Sequence, residues 1–389
     1  MDASSIEPLK KELLNTPFEG EELAVLTHYL NSGHTIPCVS EETYRNLSIT
    51  KKINTPDVKG FKFIDLFAGI GGFRIALSRN GGTPVFSSEW NNTAQKIYYE
   101  NYGDYPFGDI NKFTNENVMD NELGALIPSH DILAGGFPCQ PFSLAGVSAR
   151  NSLGLEHGFK CKTQGTLFYS IERIARSKRP KILFLENVRN IVSHDAGKTF
   201  SIIKSTVEDL GYKFYHEIVN SETVVPQRRK RCFMVCVRKD LVEQHGEFNF
   251  PKFDGLPLPL NSIIEEGADE IYTISDKLWK GHQERSARNK SRGTGFTTQT
   301  ADLNKPSNTI VARYGKDGKE CLVPQSDQNP RMLTISECRN LFGYPEDFKL
   351  PKSRTTAYRL LGNSVVVPVV EKIAASIIDT YFSDGNIAL

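Results

Sequence analysis

Apolar residues recur along the chain with two different periods, and the change of period marks its organisation. Up to residue 60, Leu9, Leu13, Leu14, Leu23, Leu26, Tyr29 and Leu30 return at helical spacing, broken by Pro17, Gly20 and Gly33, which predicts a small helical extension. A turn-rich linker then leads into Phe61-Lys62-Phe63-Ile64-Asp65-Leu66-Phe67, a short apolar run ending at glycines, as a strand entering a strand-to-helix turn would. Further apolar runs at 84–88, 131–134, 181–185 and 231–237 fit buried strands, and helical patterns lie between them at 73–79, 167–176 and 199–210. Strands alternating with helices predict an α/β fold, a doubly wound and mostly parallel sheet covered on both faces, with ligands bound at the carboxyl ends of its strands.

The alternation breaks down over 241–330, where Pro251, Pro257 and Pro259 and a cationic stretch read as an inserted, loop-rich lobe. Helical patterns return at 335–341, 355–361 and 369–381. The expected division is therefore a helical extension (1–60), a main α/β domain (61–240), the smaller lobe (241–330) and a C-terminal segment (331–389) completing the main domain.

Composition narrows the class without naming a chemistry. With 39% hydrophobic and 24% charged residues, the chain is neither disordered nor fibrous. No apolar run approaches the roughly 20 residues of a spanning helix, and no secretory or lipidation signal is visible at the N-terminus, so no membrane partner and a cytoplasmic location are expected. Seven scattered cysteines fit reduced thiols. A net charge of +1 neither demands nor excludes nucleic acid, so any such signal must be local.

Candidate chemistry clusters at the expected strand ends. In Phe67-Ala68-Gly69-Ile70-Gly71-Gly72 the glycines let backbone approach a ligand, although Arg74 stands where a dinucleotide fingerprint would have its third glycine, and a tight structural corner would look the same. Glu89-Trp90 and Asp109-Ile110 add a carboxylate for ribose hydroxyls and an aromatic face for a base; either acid could equally cap a helix. Gly197-Lys198-Thr199 lacks the first glycine of a phosphate loop, since that position is Val192. Cys232 and Cys236 alternate in an apolar strand as buried fillers, and no Cys/His cluster predicts a metal. Cys139 is different: it stands between Pro138 and Gln140-Pro141, just after a strand, where a lowered pKa would make a nucleophile. Glu186-Asn187-Val188 supplies a carboxyl at another strand end, and Gln227-Arg228-Arg229-Lys230-Arg231 puts Arg229 and Arg231 on one side of an extended chain.

In this order the segments resemble the motif set of the DNA cytosine-5 methyltransferases, and Arg331 to Pro345 and Tyr358 to Val365 are similar to that family's last two motifs. The resemblance spans about 61–380, outside the loop-rich insert. It implies S-adenosylmethionine as cofactor, S-adenosylhomocysteine as product and double-stranded DNA as substrate. Cys139 would add to cytosine carbon 6, Glu186 would serve ring nitrogen 3 and the amine, and Arg231 the carbonyl oxygen, with Arg229 grouped with them. Phe67, Gly69, Gly71, Gly72, Glu89, Trp90, Asp109, Ile110, Pro138, Asn363 and Val365 would hold the cofactor. The glycine-bearing stretch 143–164 resembles the loop that closes over a flipped base.

The insert then becomes a target-recognition domain. Lys277, Lys280, Arg285, Arg288, Lys290 and Arg292 suit phosphates and guanine edges, and Gln140, Ser143, Arg288, Arg292, Gly293 and Arg313 are the expected DNA contacts. Trp279, Arg292, Gly293, Gly295, Phe296 and 309–313 look like the branch acting on sites that begin CC and end GG. A restriction-modification role, with a cognate endonuclease as functional partner and a monomeric enzyme, is the simplest expectation. RNA cytosine methylation and a DNA-binding regulator without activity are the competing readings.

Overall fold

The computed structural model describes residues 60–104, 106–114, 123, 127–138, 167–293 and 298–382. The N-terminal extension, Cys139, Gln140, Ser143, the glycine-bearing stretch after them, and Gly295 with Phe296 lie outside the described residues.

The expected strands form as β1 (Lys62–Leu66), β2 (Thr83–Ser88), β3 (Ile132–Gly136), β4 (Ile182–Val188) and β7 (Lys230–Arg238). Between β4 and β7 lie β5 (Tyr212–Asn220) and the two-residue β6 (Gln227–Arg228), which pairs with β8 (Ser307–Asn308). The six-stranded sheet runs β2-β1-β3-β4-β7-β5. Its β1–β2, β1–β3 and β3–β4 pairs are parallel, whereas β7 is antiparallel to both neighbours. The chain order turns back at β1, flanked by β2 and β3, so a crevice opens at their carboxyl ends.

Helices cover both faces because strand residues alternate between them. Phe63, Ile132, Ala134, Phe184 and Val235 face one way, against α1 (Gly72–Arg79), α2 (Asn92–Tyr102) and the C-terminal helix; Ile64, Leu66, Leu133, Leu185 and Met234 face the other, against α3 (Leu167–Lys178) and α4 (Lys198–Asp209). Then follow α5 (Lys239–His245), α6 (Asp276–Ser291), α7 (Ile335–Leu341), α8 (Arg354–Asn363) and α9 (Val367–Tyr381). Thr334 and Glu337 form a reciprocal capping box that starts α7.

Among the described residues, the stretch Arg354–Tyr381 has the length and apolarity to cross a membrane. It is broken between α8 and α9, and Val370, Ile373 and Ile377 are fully buried in the main core.

One departure from the sequence reading is β5, which polar and aromatic residues disguise. Within the loop-rich insert the cationic stretch forms α6, which buries only His282 and is anchored through His282 Nε2 to the Asp317 carbonyl at 2.8 Å. Leu260, Ile310, Tyr314 and Leu322 join the same hydrophobic cluster as the main sheet, so the insert packs onto that core.

Candidate active site

After β1 the chain turns through Phe67, Gly69 and Gly71, at φ of 57°, 56° and 84°. Glycine adopts these values without the Cβ penalty, and the space beside Gly69 is open for 4 Å. At Gly72, by contrast, a β-carbon would meet Val365 Cγ2 at 2.6 Å and Tyr344 Oη at 3.0 Å, so the C-terminal segment packs directly on the turn.

Glu89, at the end of β2, fixes the other rim. Its carboxylate accepts from the Gly69 and Asn91 amides, each at 2.8 Å. Burial pushes its pKa up, and the amides of Asn91, Gly69 and Trp90 draw it back. The Trp90 ring next to it is 73% exposed. Asp109 lies on a segment sewn to β2 through Ser88 Oγ and the Gly108 carbonyl, and its Oδ1 accepts from Asn111; Ile110 beside it is buried.

A second group of residues collects at the ends of β3, β4 and β7. Gly136 is in register with Glu186, and the Asn187 amide donates to the Phe137 carbonyl at 2.9 Å, tying β4 to the segment that leaves β3. That segment reaches exposed Pro138, whose successor is Cys139. Arg231 Nε lies 3.0 Å from Glu186 Oε1. Desolvation raises the Glu186 pKa above the ordinary carboxyl range, and the charges of Arg231 and Arg229 oppose it. Glu186, Arg229 and Arg231 line a small cavity with Phe233 and Val365.

Arg229 and Arg231 share this side of the chain as expected, with different partners. The buried Arg229 guanidinium donates to the carbonyls of Ile310 (2.9 Å), Gly362 (3.1 Å) and Ser364 (2.7 Å), and burial, then the Arg231 charge, bring its pKa down to about 9. Gln227 is equally committed, accepting from the Ile310 amide and donating to the Leu341 carbonyl. Exposed Asn363 lies between Gly362 and Ser364.

Of the expected DNA contacts, the described ones lie on the insert. Arg288, Arg292 and Gly293 are exposed at the end of α6, which Gly293 terminates at φ 62° with its amide on the Lys290 carbonyl. Arg313 is 66% exposed, and its Nε lies 3.5 Å from Glu320.

The family profile described as C-5 cytosine-specific DNA methylase matches residues 61–379. This chain belongs to that family. The methylase is 46% identical over 323 residues to "Type II methyltransferase M.SsoII" of Shigella sonnei, covering 82% of this chain and 80% of the relative. It is 36% identical to "Type II methyltransferase M.HhaI" of Haemophilus parahaemolyticus, covering 84% and 97%. The solved S. pombe Dnmt2 methyltransferase shares the fold, with a TM-score of 0.61 at 19% identity, covering 82% of this chain and 98% of that one.

Family and fold imply that the methylase uses S-adenosylmethionine. The crevice fits a group of that shape: open space beside Gly69, a carboxylate at Glu89 and an exposed indole at Trp90 suit a nucleoside. Sequence reasoning passed over three residues here. Asp65 is 1% exposed, and neither of its oxygens has a hydrogen-bond partner among the described residues. Gly362 abuts the insert, and Tyr102 backs the glycine turn. Only an acidic residue inside an apolar strand was a visible signal, and it was visible for Asp65 alone.

Proposed function

We propose that the methylase flips a cytosine out of duplex DNA and methylates carbon 5, as the modification enzyme of a restriction-modification system or an orphan relative. The observation that carries this reading is the Glu186–Arg231 ion pair beside the segment leading to Cys139. Cytosine carbon 5 is a weak nucleophile, so Cys139 adds to carbon 6 as thiolate and activates the ring, and once carbon 5 is methylated the loss of its proton expels Cys139 and restores the ring double bond. Glu186, raised in pKa, holds or shares a proton at ring nitrogen 3, and Arg231 holds the carbonyl oxygen. Arg229, grouped with them at the same small cavity, also holds the segment around Ser364.

Phe67, Gly69, Gly71, Gly72, Glu89, Trp90, Asp109, Ile110, Pro138, Asn363 and Val365 would hold S-adenosylmethionine, Glu89 serving its ribose and Phe67 and Trp90 its adenine. When bound, the cofactor supplies the electrophilic methyl group, and S-adenosylhomocysteine leaves. Gln140, Ser143, Arg288, Arg292, Gly293 and Arg313 contact DNA, with 241–330 as the target-recognition region. Its residues from Trp279 to Arg313 support a site beginning CC and ending GG. The protein acts as a cytoplasmic monomer, functionally paired with an endonuclease where one exists.

Incubation with S-adenosylmethionine and unmethylated DNA of mixed sequence, followed by base-resolution mapping of 5-methylcytosine, tests this directly. Methylation confined to one short motif, and lost in Cys139→Ala, is expected. Methylation absent from DNA and present on RNA would replace the reading.

A further inference from the structure

The glycine turn is held from in front by Glu89, which takes the Gly69 amide; the Gly71 carbonyl accepts from the Ile75 amide at 3.0 Å, and a side-chain partner reaches the turn's carbonyls from behind as well. That partner is Tyr102, the last residue of α2. Its hydroxyl donates to the carbonyls of Gly71 at 2.9 Å and Ile70 at 3.2 Å. The ring also closes the space behind the turn, because a β-carbon on Gly71 would lie 2.4 Å from Tyr102 Cε2.

Tyr102 is itself clamped. The Arg74 guanidinium lies 4.7 Å from the Tyr102 ring centroid and 5.2 Å from that of Tyr98. It is ion-paired with Asp104, two residues beyond Tyr102, and donates to the Tyr98 hydroxyl at 3.1 Å. Tyr98 meets the Tyr102 ring edge-on at 4.6 Å, and Phe348 lies on the C-terminal side at 6.3 Å. Arg74 therefore stands where a dinucleotide fingerprint would carry glycine because here it braces the turn from within α1. Such bracing matters at Gly71, which sits at a φ of 84° and starts the helix with no side-chain cap.

We infer that Tyr102, clamped by Arg74 and Asp104, is a positioning residue for the cofactor: its hydroxyl sets the Ile70 and Gly71 peptides, and so the shape of the turn that S-adenosylmethionine meets. The inference rests on the reading of this crevice as the cofactor site. Burial keeps the Tyr102 hydroxyl protonated, well above the ordinary phenol range, so it remains a donor at every working pH.

Calorimetric titration of the full chain with S-adenosylhomocysteine, without DNA, tests it. Tyr102→Phe keeps the ring and removes only the donor. Tyr98→Phe removes a neighbouring buried hydroxyl that accepts from Arg74 and does not reach the turn. Binding about three- to tenfold weaker in Tyr102→Phe is expected, the scale of one or two uncharged hydrogen bonds. Tyr98→Phe should stay within about twofold of wild type. Turnover should show a raised KM for S-adenosylmethionine with kcat at saturation kept. Equal losses in the two variants, or none in either, would overturn the inference while wild-type binding upholds the cofactor reading. Failure of the wild type to bind would remove both.

Discussion

A β-carbon on Gly362 would lie 2.3 Å from the carbonyl carbon of Val311. The insert thus rests, backbone on backbone, against the segment whose Val365 closes on the glycine turn. Gly362→Ala should destabilise the protein by about 1–3 kcal/mol, the scale of core overpacking, because neither backbone can yield as a flexible side chain does. Gly281→Ala, inside α6 with open space around it, should be neutral or stabilising by up to about 1 kcal/mol. Urea denaturation of the two variants compares them.

The two arginines of the β6–β7 region should separate stability from turnover. Arg229→Met strands three carbonyls and should lose about 2–4 kcal/mol of folding free energy. Arg231→Met faces a carboxylate near the cavity and should lower kcat about a hundredfold or more with a smaller stability change. Parallel denaturation and turnover measurements would contradict this division if both variants lost both properties equally.

Asp65 gives a pH signature. Burial raises its pKa well above 3.8; Arg74 opposes the rise and Glu89 adds to it. A carboxyl whose folded pKa is raised binds more protons folded than unfolded, so stability falls as pH climbs from about 3.8 through the raised value. Asp65→Asn removes that dependence. Thermal scans should find the variant more stable than wild type at pH 8, the gap closing as pH approaches 4; a constant gap would refute the account.

DNA affinity and cofactor affinity should respond to different residues. Arg288→Gln and Arg292→Gln should each weaken DNA binding and reduce the slope of log K against log salt by about one, leaving S-adenosylhomocysteine binding intact. Glu89→Ala should do the reverse, since its carboxylate also holds the Gly69 amide. Filter binding across a salt series, beside calorimetry, reads both.

What the sequence made legible follows from how locally each feature is encoded. β4 and β7 carry apolar runs of four or more residues and β1 and β2 are shorter, partly apolar stretches, and the glycine turn, Glu89, Glu186 and Arg231 sit at or near the ends of these strands, where strand periodicity locates them. The helix within the insert went unread because α6 buries a single residue, leaving its helical period with almost no hydrophobic signal. β5 was hidden by Lys213, His216 and Glu217 on an edge strand bordered only by β7. The bracing of the turn by Tyr102 was illegible for another reason: its two partners are 31 and 32 residues away and are carbonyls, which every residue type supplies.

The single reversed strand of the sheet sets where this chain tolerates insertion. β5 and β7 form nine consecutive antiparallel pairs, from Tyr212 with Arg238 to Asn220 with Lys230, and Arg231 is the second residue of β7. Adding one residue within that ladder would shift the register and turn the guanidinium to the opposite face, away from Glu186. At the far end, beyond Arg238, the chain leaves the sheet for α5 and a long excursion without disturbing any pair. New sequence can accumulate at that outer end during evolution while the inner end keeps a fixed residue count.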